Sequence, residues 1–195
     1  TYGSTVKDRP FLAMDRARFV GEPVAAVAAV DEDTAQEALE LIRVDYDPLE
    51  PILDPIQSMQ PGAPLLHPDL EKYKHSYAAT PTPGTNICST FRLRRGDVEE
   101  GFGHSDFVFE DTFSTQPIQH AALEPHVAVS QLDPFSGRMT VWVNSVSPFI
   151  SRKELADALR VPMDRIRVIV PGIGGSFGVK MYLKQEPLTV ALAMF

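Results

Sequence analysis

Eight of the 17 prolines in this 195-residue sequence, from Pro48, Pro51 and Pro55 through Pro61, Pro64 and Pro68 to Pro81 and Pro83, fall between positions 48 and 83. Proline fixes φ and removes a backbone donor, so this stretch can be neither a central strand nor a long helix. It reads as an extended connector, longer than compact domains ordinarily carry between their elements. The chain therefore divides into a piece before the connector and a piece after it.

The first piece carries a β-α-β pattern. Residues 24–30 (VAAVAAV) form a continuous apolar run suited to a strand buried on both faces. Asp31 or Asp33 can cap a following helix, because a short carboxylate accepts the first free amides at the positive end of the dipole. Ala35, Ala38, Leu39 and Ile42 recur at helical spacing, and Val44-Asp45-Tyr46 returns as a strand before Pro48. Such a unit is too small to complete a sheet by itself.

The second piece is mixed. Residues 96–102 (GDVEEGF) predict a short helical turn, and Phe107, Phe109, Asp111 and Phe113 alternate at strand period. Residues 127–132 and 139–143 predict two strands joined by the turn Asp133-Pro134-Phe135-Ser136-Gly137. Residues 149–159 predict an amphipathic helix with Ile150, Leu155, Ala158 and Leu159 on one side; residues 166–170 predict a strand, and a final helix follows. The fold class is α+β, without internal repeats.

Composition narrows the function. The net charge is −8, with no Lys/Arg-rich block, which argues against a nucleic-acid binder. Hydrophobic residues at 44% and charged residues at 23% are ordinary globular values. The apolar runs fall far short of the roughly 20 residues of a membrane span, and no secretory signal is present. The single cysteine, Cys88, allows no internal disulfide and cannot hold an iron–sulfur cluster, which needs about four ligands. A reducing, cytoplasmic setting is expected. The sequence starts at Thr1 without an initiator Met and ends in EPLTVALAMF, a helix cut off mid-run, which predicts a piece of a longer or split polypeptide.

The most informative stretch is residues 171–180 (PGIGGSFGVK), with four glycines in seven positions. Missing Cβ atoms permit positive φ and let backbone amides approach a ligand. Two phosphate motifs fail on spacing. Val179 separates Gly178 from Lys180 where a Walker A loop needs Gly-Lys-Ser/Thr, and Phe177 stands where a dinucleotide fingerprint needs its third glycine. A tight strand-to-helix turn without a ligand fits the composition equally well.

Residues 174–180 resemble the GGxFGxK motif of the molybdenum-binding large subunit of the xanthine dehydrogenase/aldehyde oxidase family. Phe11-Leu12-Ala13 together with residues 18–25 (RFVGEPVA) resemble that family's VRFVGEPVA segment, and residues 44–49 (VDYDPL) its VDYEPL segment. Gly96-Asp97, His120 with Glu124-Pro125, and residues 159–170 fall where the family places them. The resemblance implies the end of an α/β hammerhead domain in residues 1–56, a Pro-rich connector in 57–95, and the start of a mixed α/β molybdopterin-binding domain in 96–195. It implies a molybdenum–molybdopterin cofactor and hydroxylation of an N-heterocycle or aldehyde as the small-molecule substrate. Two electrons would pass to iron–sulfur centres and FAD on other domains or subunits. The expected partners are the remainder of the large subunit and the iron–sulfur and flavin subunits, with no nucleic acid and no membrane. In that family the metal is held mainly by the cofactor's dithiolene, and the backbone around the motif's phenylalanine faces it. That role carries over to Phe177 as the residue nearest the metal, with Gly174, Gly175 and Gly178 as cofactor-binding neighbours making room.

The departures are specific. The family's Gln, in a TQ pair before the helix, aligns with Val146, which cannot donate a side-chain hydrogen bond; Asn144 or Ser147 would have to substitute. The acidic residue of xanthine-type members after the motif's Lys is Met181 here, which weakens a purine substrate. The family's catalytic Glu lies far downstream, so no catalytic residue is assigned and the segment is expected to be inactive alone. The competing reading is a non-catalytic assembly or interaction domain with a degenerate cofactor site. His67, His75, His104, His120 and His126 are scattered without metal-ligand spacing. His120 and Glu124 are read as packing near the site, Arg92 to Arg95 as a solvated face or subunit contact, and Cys88 as a small apolar residue. Glu99-Glu100 and Asp31-Glu32-Asp33 are read as surface and capping charges.

Overall fold

The computed structural model describes residues 1–194. Its elements in chain order are α1 (Glu32–Glu40), α2 (Pro55–Ser58), α3 (Val98–Gly103), β1 (Ala128–Leu132), β2 (Met139–Val143), α4 (Pro148–Leu159), β3 (Ile166–Ile169) and α5 (Glu186–Ala193). Single 3-10 turns lie at Leu70–Lys72 and Met163–Arg165.

The sheet follows from local chemistry. In the turn after β1, the Asp133 carboxylate accepts from the Phe135 amide and Gly137 takes φ +64°, reversing the chain into β2. The two strands pair antiparallel, with Ala128 opposite Val143 and Leu132 opposite Met139. Pro148 opens α4, where its missing N–H is no loss. Arg160 ends it in the left-handed region, at φ +57°. That helix is the crossover required to set β3 parallel to β2, with Met139 opposite Ile166. The strand order is β1-β2-β3.

Met139, Val141, Leu155, Ile166, Leu183 and Val190 form the buried core, joined by Tyr2 from the far end of the chain. Each fully buried aliphatic side chain contributes about 1.5–3 kcal/mol. The Tyr2 hydroxyl donates to the Lys184 carbonyl at 2.7 Å, and Lys7 pairs with Asp157 of α4 at 3.0 Å. These contacts strap the first residues onto that core. The connector returns to the same strap: Lys7 N–H donates to Lys74 O and Ser76 N–H to Thr5 O, both at 2.8 Å. Asn86 gathers the proline-rich stretch by donating to the carbonyls of Ser58 and Pro64 and accepting from Leu66 N–H.

Four expectations are corrected. Residues 24–30 and 44–46 form no strand, and Val30 is exposed, because no neighbouring strand supplies ladder partners among the described residues. Residues 107–113 likewise form no strand, and Phe107, Phe109 and Phe113 are exposed. Helix α1 starts as expected, with Asp31 accepting from the Thr34 amide at 2.8 Å, but its apolar stripe buries nothing. In α4 the buried face is rotated: Ser151, Glu154, Leu155 and Ala156 are buried and Ile150 is half exposed. A 2.9 Å hydrogen bond between the hydroxyls of Ser145 and Ser151 makes a polar residue acceptable on that inward face. No helix is long and apolar enough to cross a membrane among the described residues.

Candidate functional site

The carboxyl ends of parallel strands are where open α/β sheets place ligands. Here β2 runs out into residues 144–147 and β3 into the glycine-rich residues 171–180. The two exits are tied together, as Val146 N–H donates to Lys180 O at 3.1 Å. A third segment, residues 120–127, closes the group. Asn144 is buried and holds that segment by donating to Pro125 O at 2.7 Å and accepting from Val127 N–H at 3.2 Å.

Glu124 is the hub. Its Oε2 accepts from Gly174 N–H at 2.7 Å and from Lys180 Nζ at 2.6 Å, while its own amide donates to Gly174 O at 3.2 Å. The Lys180 side chain is fully buried whereas that of Glu124 is 36% exposed. A buried ammonium without a counter-charge would be strongly unfavourable, so this pair satisfies a requirement of the fold. The Lys180 hydrogen bond, followed by the Gly174 amide, lowers the Glu124 pKa to about 2. The carboxylate is therefore ionised throughout the neutral range.

Between those anchor points the backbone is unusual. Gly175 and Gly178 have φ of +95° and +96°, and Phe177 sits at +51°. A left-handed bulky residue costs on the order of 1–3 kcal/mol. The Phe177 side chain is 73% exposed, so its own packing does not hold it there. Ala121, on the facing segment, is also left-handed at +49°. The amides of Gly175, Ser176, Phe177 and Gly178 donate to no acceptor among the described residues, whereas Val179 and Lys180 turn back onto Ser176. Four consecutive free N–H groups, three of them at positive-φ residues, are donors available to an anion.

The glycines serve different neighbours. A Cβ on Gly174 would lie 2.6 Å from Glu124 Cβ, so the space there belongs to the glutamate. A Cβ on Gly175 would meet the Phe177 ring at 3.1 Å and Ala122 at 3.6 Å; on Gly178 it would stand 3.8 Å from His120 Nε2. The structure thus brings Gly174, Gly175, Phe177 and Gly178 to one edge and adds His120 and Glu124 to it. Sequence reasoning placed Glu124 nearby as packing and missed its hold on both ends of the loop. The usable signal was Lys180 itself, since a lysine drawn into a glycine-rich turn needs a carboxylate partner.

Elsewhere the chemistry is sparse. Among the described residues no group of three or more His, Cys, Asp or Glu side chains is placed to hold a metal ion. Cys88 is exposed and lines a small hollow with Asp8, His67 and Asn86. A larger apolar cavity of about 260 Å³, lined by Leu132, Met139, Leu159, Val161, Ile166 and Val190, lies at the opposite ends of β2 and β3 from the loop.

Comparison with known proteins adds three findings. Residues 80–195 match the family model of the molybdopterin cofactor-binding domain, and residues 1–50 match that of the aldehyde oxidase and xanthine dehydrogenase a/b hammerhead domain. The chain is 36% identical over 195 residues to one subunit of a probable xanthine dehydrogenase from Bacillus subtilis, covering 99% of this chain and 24% of the relative. It is 35% identical to the nicotinate dehydrogenase large molybdopterin subunit of Eubacterium barkeri, covering 95% of this chain and 40% of that protein. Reconstituted CO dehydrogenase from Oligotropha carboxidovorans superposes with a TM-score of 0.80 at 29% identity, over 99% of this chain and 24% of that one. The chain thus spans well under half the length of each.

Proposed function

Because the chain belongs to the molybdopterin-binding large subunits of the xanthine dehydrogenase/aldehyde oxidase family, we propose that its glycine-rich loop forms one wall of the cofactor site of a molybdenum hydroxylase. The observation that carries this is the run of four free amides from Gly175 to Gly178 around a left-handed Phe177. A cofactor with an anionic dithiolene and phosphate fits such donors. When bound, it supplies the redox centre for hydroxylation of a C–H bond. The residues present do the positioning: Gly175, Ser176, Phe177 and Gly178 offer N–H groups at close range, and Gly174 lets Glu124 pack behind them. Phe177 would be the residue nearest the metal, with its exposed ring available to shield the site from water.

The family and the relatives' names support an N-heterocycle or an aldehyde as substrate, with residues 1–56 ending the hammerhead domain, 57–95 connecting, and 96–195 beginning the cofactor domain. The catalytic base, the iron–sulfur clusters and FAD would come from other parts of the large subunit or from partner subunits. A single cysteine supports that division for the clusters. We place the assembled enzyme in the cytoplasm.

The test is the molybdenum and molybdopterin content of the full-length complex. Stoichiometric metal is expected in the natural protein, and Gly178→Ala or Phe177→Gly is expected to lower it. A metal-free natural complex would favour the non-catalytic assembly reading, to which the Val146 and Met181 departures also point. Unchanged loading in both variants would remove the loop from the site.

A further inference from the structure

We propose that Glu124 and Lys180 are positioning residues, with one carboxylate stapling both ends of the loop so that the amides between stay free and aligned for the cofactor. This rests on the reading of the loop given above. The geometry argues for more than charge balance. To neutralise Lys180, Glu124 needs only the 2.6 Å contact with Nζ. It uses the same oxygen to take the Gly174 amide at 2.7 Å, and returns its own N–H to Gly174 O. Both ends of the segment 174–180 are therefore fixed to one point, across 50 and 56 residues of sequence.

What lies between needs that fixing. Phe177 occupies a left-handed conformation with its ring mostly in solvent, so packing offsets little of its strain. The four amides from Gly175 to Gly178 satisfy no internal acceptor. If the ends were released, the loop could relax Phe177 into an ordinary conformation and turn those amides away from the ligand. The Gly174 amide, next to the four free ones, is taken by Glu124 itself. The glutamate also sits too close to Gly174 for any Cβ there, which makes glycine a requirement of the staple.

The experiment uses the full-length holoenzyme with Glu124→Asp, the neutral pair Glu124→Gln/Lys180→Met, and Gly178→Ala. For each, the half-life of molybdopterin on the protein during dialysis is measured beside the thermal unfolding midpoint. Glu124→Asp keeps the charge and shortens the reach by one methylene, and the double variant leaves no unpaired buried charge. Both are expected to unfold near the natural temperature and yet to lose cofactor about tenfold faster. Cofactor retention at the natural rate in either stably folded variant would overturn the proposal and leave the pair as charge compensation. If Gly178→Ala loses cofactor while the Glu124 variants do not, only the staple fails. If none of the three loses it, the loop reading fails as well.

Discussion

Residues 128–194 form a sheet with two helices on it and a buried core, whereas residues 1–127 contain no strand beyond two isolated bridges. The total accessible area is 15081 Å² for 21.5 kDa, where a compact monomer of that mass would expose about 9,200 Å². In the first region Val20, Phe91, Phe107, Phe109, Phe113 and Leu123 all face solvent. Strand-like alternation at 107–113 is as clear as at 139–143, yet only the latter is a strand. The difference lies in neighbours: β2 has β1 on one edge and β3 on the other. Periodicity expresses a readiness to pair, and pairing needs a second strand.

The strongest challenge to this contrast is side-chain truncation on each side of it in the full-length protein. Leu155→Ala, in the formed core, is expected to cost about 2–5 kcal/mol in denaturant unfolding. Phe109→Ala should cost about 3 kcal/mol if the longer protein covers the exposed aromatics. A change within about 0.5 kcal/mol would show that this surface stays solvated in the whole molecule.

A smaller effect concerns pH. Glu154 is buried on α4 with Oε2 lacking a partner, and burial raises its pKa above the ordinary 4.5. Lys7, Lys153 and a Leu183 backbone hydrogen bond oppose the shift, and Asp157 adds to it. A raised folded-state value means that its contribution is fully present below the unfolded-state value and is lost as pH rises through the folded one. Glu154→Gln should therefore flatten the fall in stability above about pH 4.5, read from urea midpoints at a series of pH values. An unchanged slope would assign the dependence to another group.

The smallest effect tests the first region on its own terms. Asp31 caps a helix that buries no residue, so Asp31→Ala removes one side-chain bond to the Thr34 amide. The expected loss is about 1 kcal/mol in the helix, seen as faster hydrogen exchange in α1 with the core of residues 128–194 unaffected. Spread of that change into β1 or β2 would mean that the two regions unfold together.

Much of the second region was legible because its signals are local. Asp133 to Gly137 encode their own turn, Pro148 opens α4, and the glycine-rich segment announces itself by composition. Asp31 and Asp97 cap their helices through amides two or three residues away. The strands expected at 24–30 and 107–113 were over-read because an apolar run carries no information on whether a partner exists. The Glu124 staple was under-read for the opposite reason. It joins residues 56 apart, and no period links a glutamate before a proline to a lysine after a glycine-rich turn. The rotated face of α4 depended on the Ser145–Ser151 pair, again a contact between elements.

The bond from the Tyr2 hydroxyl to Lys184 spans 182 residues. At synthesis rates of about 5–20 residues per second, the tyrosine is added to the chain roughly 9–36 s before its acceptor. Tyr2 thus cannot take its place in the core until Lys184 and Val190 are made, and residues synthesised before the core are among the last to be placed.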